Sequence, residues 1–140
     1  MKVRIRRVDK KLPLPEYKTA GAVAFDFLCR ETVVIPAGKV GRIPANVVIE
    51  VPEGYMLHIK DRSSTAMKKG LLATAGVIDQ DYCGDNDEIV LQFYNFTTVE
   101  VTVERGERIA QGVFMAIGKV TWDEVDTMQN VDRGGFGSTG

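Results

Sequence analysis

Short runs of apolar and β-branched residues recur along the chain, at Val3–Arg7, Val23–Leu28, Thr32–Ile35, Val47–Val51, Tyr55–Ile59, Ile89–Phe93, Val99–Val103 and Arg108–Met115. Their near-alternating or continuously apolar character, over a few residues at a time, is that of strands. Turn signals fall between them, as in Pro36-Ala37-Gly38, Pro52-Glu53-Gly54 and Arg105-Gly106-Glu107. This rhythm predicts an all-β sandwich or barrel and not a series of βαβ units. One segment departs from it. Ser63-Ser64-Thr65-Ala66-Met67-Lys68-Lys69-Gly70 opens on hydroxyls, ends on two lysines and closes on glycine, which predicts a short helix. The helix start would present free backbone N–H groups beside Arg62, Ser63 and Ser64, a place suited to an anion. An ordinary capped turn between two strands would have the same sequence.

At 140 residues the chain suffices for one domain with one core, so a larger architecture must come from association. Apolar residues make up 44% and the formal net charge is −1, so there is no general attraction to nucleic acid or to an anionic membrane. A phosphate-binding site would have to be local. No apolar run reaches the length of a membrane span, and the basic start Met1-Lys2-Val3-Arg4-Ile5-Arg6-Arg7 lacks the apolar stretch of a signal peptide; a cytoplasmic location is expected. Cys29 and Cys83 have no metal-site spacing and are expected as reduced thiols.

Two stretches carry candidate chemistry. The tail Arg133-Gly134-Gly135-Phe136-Gly137-Ser138-Thr139-Gly140 combines an arginine, one aromatic and two hydroxyls with four glycines, and has no core-building pattern. Arg133 can fork onto phosphate, Phe136 offers a face to a planar ring, and Ser138 and Thr139 can donate to an anion that the glycine backbone approaches closely. The tail thus reads as a nucleotide lid, or else as a plain terminal extension. The second stretch is Gly76-Val77-Ile78-Asp79-Gln80-Asp81-Tyr82, continued by Cys83-Gly84-Asp85-Asn86-Asp87-Glu88. It reads as a hairpin whose acid could serve as general base to a water or help hold a metal, with the tyrosine as a pocket wall. Turns also carry Asp and Asn for conformational reasons alone.

Taken in order, Ala24-Phe25-Asp26-Phe27-Leu28, Asp61-Arg62-Ser63-Ser64, Gly76 to Tyr82, Gly106-Glu107-Arg108-Ile109-Ala110-Gln111 and the glycine-rich tail resemble the five motifs of the trimeric dUTP pyrophosphatases, the dUTPases. The resemblance covers roughly residues 20 to 140. It implies an all-β, distorted jelly-roll subunit with one short helix, assembled as a homotrimer whose sites are each built from three chains. It further implies a β domain over 1–132 and an arm over 133–140 that closes on a site.

The implied reaction is hydrolysis of dUTP to dUMP and pyrophosphate, which limits uracil in DNA and supplies dUMP for thymidylate synthesis. By the same resemblance Asp79 activates the attacking water, and main-chain groups of Gly76, Val77 and Ile78 read uracil. Tyr82 packs beneath the deoxyribose and leaves no room for a 2′-hydroxyl. Arg62, Ser63, Ser64 and Gln111 contact the phosphate chain. Phe136 covers the base, and Arg133, Gly137, Ser138 and Thr139 close on the terminal phosphate. Magnesium (Mg2+) is implied on the triphosphate, with Asp26 near it indirectly. Neither nucleic acid nor membrane is implied as a partner.

Several positions depart from the family pattern. Ser64 stands where glycine is usual, Ala24 replaces a glycine, and the segment from Cys83 to Glu88 is longer and more acidic than usual. Arg62-Ser63-Ser64 leans towards the sister dCTP deaminases. Those enzymes, however, use a glutamate where this chain has Gln92, and an amide cannot shuttle protons. A catalytically silent nucleotide-sensing trimer is the other reading, although Asp79 and the tail are both present. His58 is expected in a strand, Trp122 in packing or surface, and Lys68 and Lys69 at the helix C-terminus.

Overall fold

The computed structural model describes residues 1–137. Eleven strands and one helix are found among them: β1 Ile5–Arg7, β2 Phe25–Phe27, β3 Val33–Ile35, β4 Val40–Pro44, β5 Val47–Ile49, β6 Tyr55–Asp61, α1 Thr65–Lys69, β7 Leu71–Ala73, β8 Val77–Ile78, β9 Val90–Asn95, β10 Val101–Val103 and β11 Ala110–Ala116. All pairings are antiparallel. β2-β11-β6-β8 form one sheet, β4-β9-β7 a second, and β1-β5 and β3-β10 two ribbons. The pairs β2–β11, β3–β10 and β4–β9 are nested, each inside the last. A chain doubled on itself and wrapped gives this order, and the fold is a distorted jelly-roll.

The wrap encloses one core in which Phe27, Ile35, Ile43, Leu57, Leu71 and Phe93 have no exposed surface. Each such side chain stabilises the fold by about 1.5–3 kcal/mol relative to an exposed position. Asn95 is equally buried and fully satisfied. Its amide donates to the carbonyls of Ile35 (2.9 Å) and Val99 (2.8 Å), and its oxygen accepts from the N–H (2.9 Å) and hydroxyl (2.8 Å) of Thr97. One side chain thereby ties the end of β9 to β3 and to the following turn.

The eight expected strands are all present within a few residues, and His58 lies in β6 as expected. Strands β4 and β7 were not expected. β4 contains Gly41 and Pro44, residues depleted in strands, yet a Cβ at Gly41 would stand 2.5 Å from Ile35 Cγ1, so close packing requires the glycine. The three residues of β7 are too few to show a period. The helix is present but shorter than its signals. Ser64 is the N-cap residue and makes no capping bond through its side chain, while Gly70 closes the helix at φ 67°. The Thr65 N–H already donates to the Arg62 carbonyl (2.9 Å), so the expected cluster of free helix-start donors is reduced.

Candidate active site

β2, β11 and β6 lie side by side, and their register places Gln111 opposite both Asp26 and Lys60. Asp26 is 8% exposed in the middle of β2, and its carboxylate meets Arg62 Nε at 3.0 Å and Arg108 Nε at 4.0 Å. Arg62 is fixed further by donating from Nη1 to the Arg108 carbonyl (3.2 Å). The Thr65 hydroxyl, buried, donates to the Ile109 carbonyl (2.8 Å) and pins the helix start to the approach to β11. These contacts build the wall of an open cavity of about 520 Å³, into which Lys18, Arg62, Ser64, Lys68, Lys69 and Arg108 project. Among the lining residues only Asp26 and Glu107 are acidic, with Glu107 engaged by Lys69 at 2.6 Å, while Lys18 is paired with Glu16 from outside the lining. The cavity is suited to a polyanion.

The expected phosphate residues do not all share this cavity. Ser63 is exposed outside its wall, and the Gln111 amide donates to the Asp61 carbonyl (3.1 Å). Lys68 and Lys69 stand in the last turn of α1 as expected and line the cavity as well, and Lys69 also donates to the Thr102 carbonyl (3.3 Å).

Asp79 lies elsewhere. β8 pairs with β6 through Ile78 opposite Leu57 and Val77 opposite His58, so the register carries Asp79 towards Met56. Asp79 lines a different cavity of about 350 Å³ with Tyr55, Met56, Gln80, Asp81 and Lys119, and the two cavities have no residue in common. Arg62, just past the end of β6, is six residue steps from Met56, roughly 20 Å at about 3.3 Å per residue. β8 is also the edge of its sheet. The Gly76 carbonyl accepts from the Ile59 N–H (2.7 Å), so antiparallel alternation turns the Val77 N–H and C=O to the open side. A free donor and acceptor on one backbone edge can read a planar base. Gly76 is required there, because a Cβ would lie 2.4 Å from the Ile59 carbonyl oxygen.

Gln80 carries no signal of its own in the sequence, yet it clamps the hairpin. Its amide donates to the carbonyls of Tyr55 (2.9 Å) and Pro52 (3.3 Å), and its oxygen accepts from Lys119 Nζ (3.2 Å). Its partners lie 25 to 39 residues away, so no local pattern marks it. Tyr82 is half-exposed, with its hydroxyl on the Glu88 carbonyl. The acidic segment after it braces the fold. There the Glu88 carboxylate takes a two-pronged ion pair from Arg30, which raises the Arg30 guanidinium further above its already high ordinary pKa. At the deaminase position, the Gln92 amide donates to the Thr74 hydroxyl (3.0 Å).

From Gly118 to Gly137 every residue is exposed and none is in a helix or strand. Arg133, Phe136 and Gly137 lie at the end of this run, remote from any packing; Trp122, expected in packing or surface, is fully on the surface side of that choice. Ser138 and Thr139 lie outside the described residues. No helix among the described residues is long and apolar enough to cross a membrane. Among the described residues there is also no group of three His, Cys, Asp or Glu side chains placed to hold a metal ion, and Asp26 faces two arginines. This donor set fits a cation carried in on phosphate oxygens and not one held directly by the protein.

A nested all-β fold with a cationic cavity and a separate acid-bearing backbone edge offers one place suited to phosphate and another suited to a planar base. The chain belongs to the dUTPase family, whose profile matches residues 10–140. The deoxyuridine 5′-triphosphate nucleotidohydrolase of Hydrogenobaculum sp. (strain Y04AAS1) is 40% identical over 146 residues, covering 100% of this chain and 99% of that protein. That of Dictyoglomus turgidum is 38% identical over 148 residues, with 100% and 99% covered. Among solved structures, the dUTPase of Streptococcus mutans superposes with a TM-score of 0.76 at 34% identity, covering 84% of this chain and 98% of that one. The Staphylococcus bacteriophage 80alpha dUTPase G164S mutant with dUpNHpp has a TM-score of 0.88 at 23% identity, covering 99% and 98%, and shares the fold.

Proposed function

We propose that this protein hydrolyses dUTP to dUMP and pyrophosphate in a homotrimer, each site combining the cationic cavity of one copy with the Asp79 hairpin of another. The observation that carries this reading is the separation of the two groups within one chain. Reacting atoms must come within about 3–3.5 Å, and roughly 20 Å of strand lies between Met56, beside Asp79, and Arg62. A second copy removes the gap. The exposed run carrying Val120, Trp122, Val125, Met128 and Val131 supports association, because these apolar side chains have no cover in their own chain.

In this mechanism the open edge at Val77 pairs with uracil, and the Tyr82 ring lies under the sugar and rejects a 2′-hydroxyl. Asp79 takes a proton from water as its oxygen attacks the α-phosphorus; pyrophosphate leaves as the phosphoanhydride bond breaks. Negative charge grows on the phosphoryl oxygens, where Arg62, with its orientation set by Asp26, stabilises it most. Magnesium carried in with the triphosphate, with Asp26 near it only indirectly, would supply further charge neutralisation. The arm brings Phe136 over the base and Arg133, Gly137, Ser138 and Thr139 onto the terminal phosphate, excluding bulk water. We assign the activity to the cytoplasm, in keeping with two free cysteines.

The test is product analysis with magnesium and dUTP, dCTP, dTTP or UTP offered separately. Selective formation of dUMP and pyrophosphate is expected. Deamination of dCTP would replace this reading with the deaminase, and tight dUTP binding without turnover would replace it with a sensor.

A further inference from the structure

We propose that Arg30 and Glu88 are positioning residues for sugar selection, acting through the hydroxyl of Tyr82. The inference rests on the reading of Tyr82 as the ring beneath the deoxyribose. Tyr82 is 37% exposed, so packing in its own chain covers only part of the ring. Its hydroxyl also donates to the Glu88 carbonyl oxygen at 3.0 Å. Glu88 is itself gripped at its carboxylate by Arg30 Nε (2.8 Å), Arg30 Nη2 (2.9 Å) and the Asn46 N–H (2.8 Å). The next residue, Ile89, is wholly buried, and its N–H and C=O bond to Val47 and Ala45, each at 2.9 Å. The carbonyl that receives Tyr82 is therefore anchored directly beside the core.

Between the two residues the loop is closed on itself. The Asp87 carboxylate accepts from the Gly84 N–H (2.7 Å), and the Asp87 N–H donates to the Gly84 carbonyl (3.0 Å). The segment from Tyr82 to Glu88 thus forms a bracket with the ring at its free end and the Arg30–Glu88 pair at its root. Steric rejection of one hydroxyl works only if the rejecting ring cannot withdraw, which demands support good to about 0.5 Å. Arg30 reaches this bracket from 58 residues away and touches no expected substrate contact, so its effect passes through the tyrosine.

Arg30→Gln, Glu88→Gln and Tyr82→Phe keep hydrogen-bonding or ring volume and isolate the link; thermal melting confirms that each variant is folded. kcat/KM is measured for dUTP and for UTP. The preference for dUTP is expected to fall by up to about tenfold in each variant, the scale of one hydrogen bond. Arg30→Gln added to Tyr82→Phe should lower it no further, because both act through the same bond. A merely structural role would lower both substrates alike and overturn the proposal. A second readout needs no nucleotide: in protein labelled at the tyrosine Cζ, the Tyr82 carbon resonance should shift in Arg30→Gln and in Glu88→Gln. An unmoved resonance overturns the link whatever the activity. Lack of preference for dUTP over UTP in the unaltered protein would overturn the sugar role itself, and the resonance would still decide the link.

Discussion

Two inactive variants should make a partly active protein when their subunits are mixed. Asp79→Asn removes the proposed base from one cavity, and Arg62→Gln removes a phosphate contact from the other while leaving Asp26 a hydrogen-bonding partner. Suppose each site takes Asp79 from one subunit and Arg62 from the next around a closed ring of three. A site is then intact only where an Arg62→Gln chain is followed by an Asp79→Asn chain. Any mixed trimer, whether two-to-one or one-to-two, contains one such junction. Random assembly from equal amounts makes about three-quarters of trimers mixed, so about one quarter of sites recover. The assay is pyrophosphate release after co-refolding, with each parent refolded alone as the baseline; differently tagged chains allow mixed trimers to be purified, where about one site in three is expected. Activity no greater than the sum of the parents would refute the reasoning, because it would mean that both residues serve a site from the same chain.

Removing residues after Asp132 takes away Arg133 and Phe136 without touching the core, so an unchanged melting temperature and severely reduced turnover are expected; undiminished turnover would sink the lid. Gly76→Ala drives a Cβ against a backbone oxygen that cannot step aside, and denaturant titration should record a loss of about 2 kcal/mol together with impaired turnover. Burial, and secondarily Glu107, push the Cys29 thiol up to about 12 from the usual 9.0. The folded-state value is the higher one, so the Cys29 contribution to stability is intact below pH 9 and declines as pH rises towards 12. At pH 8 native protein should therefore resist alkylation at Cys29, as read by mass spectrometry, and lose that protection in denaturant.

Strand positions were legible in the sequence because each carries its period within five or so residues. β4 was not, since Gly41 contradicts strand propensity for a reason that lies in Ile35, on another strand. The chemistry-bearing residues Asp79, Arg62 and the tail could be picked out by residue type and order. That Asp79 and Arg62 line separate cavities could not, because it follows from the pairing of β8 along β6. Gln80, Arg30 and Glu88 were invisible for the same reason. An amide or an ion pair announces a role only when its partner is known, and those partners stand 25 to 58 residues distant.

The chain has a single tryptophan, and it is Trp122, 88% exposed on the run that follows β11. The jelly-roll core itself is free of indole, so its folding hardly colours tryptophan emission. Tryptophan fluorescence, excited where tyrosine does not absorb, consequently reports one event: an indole bathed in water emits towards the red, and one covered by a neighbouring surface shifts to the blue and escapes soluble quenchers. Dilution, nucleotide addition or shortening of the tail can each be followed optically at that one residue, with no dye and no engineered site.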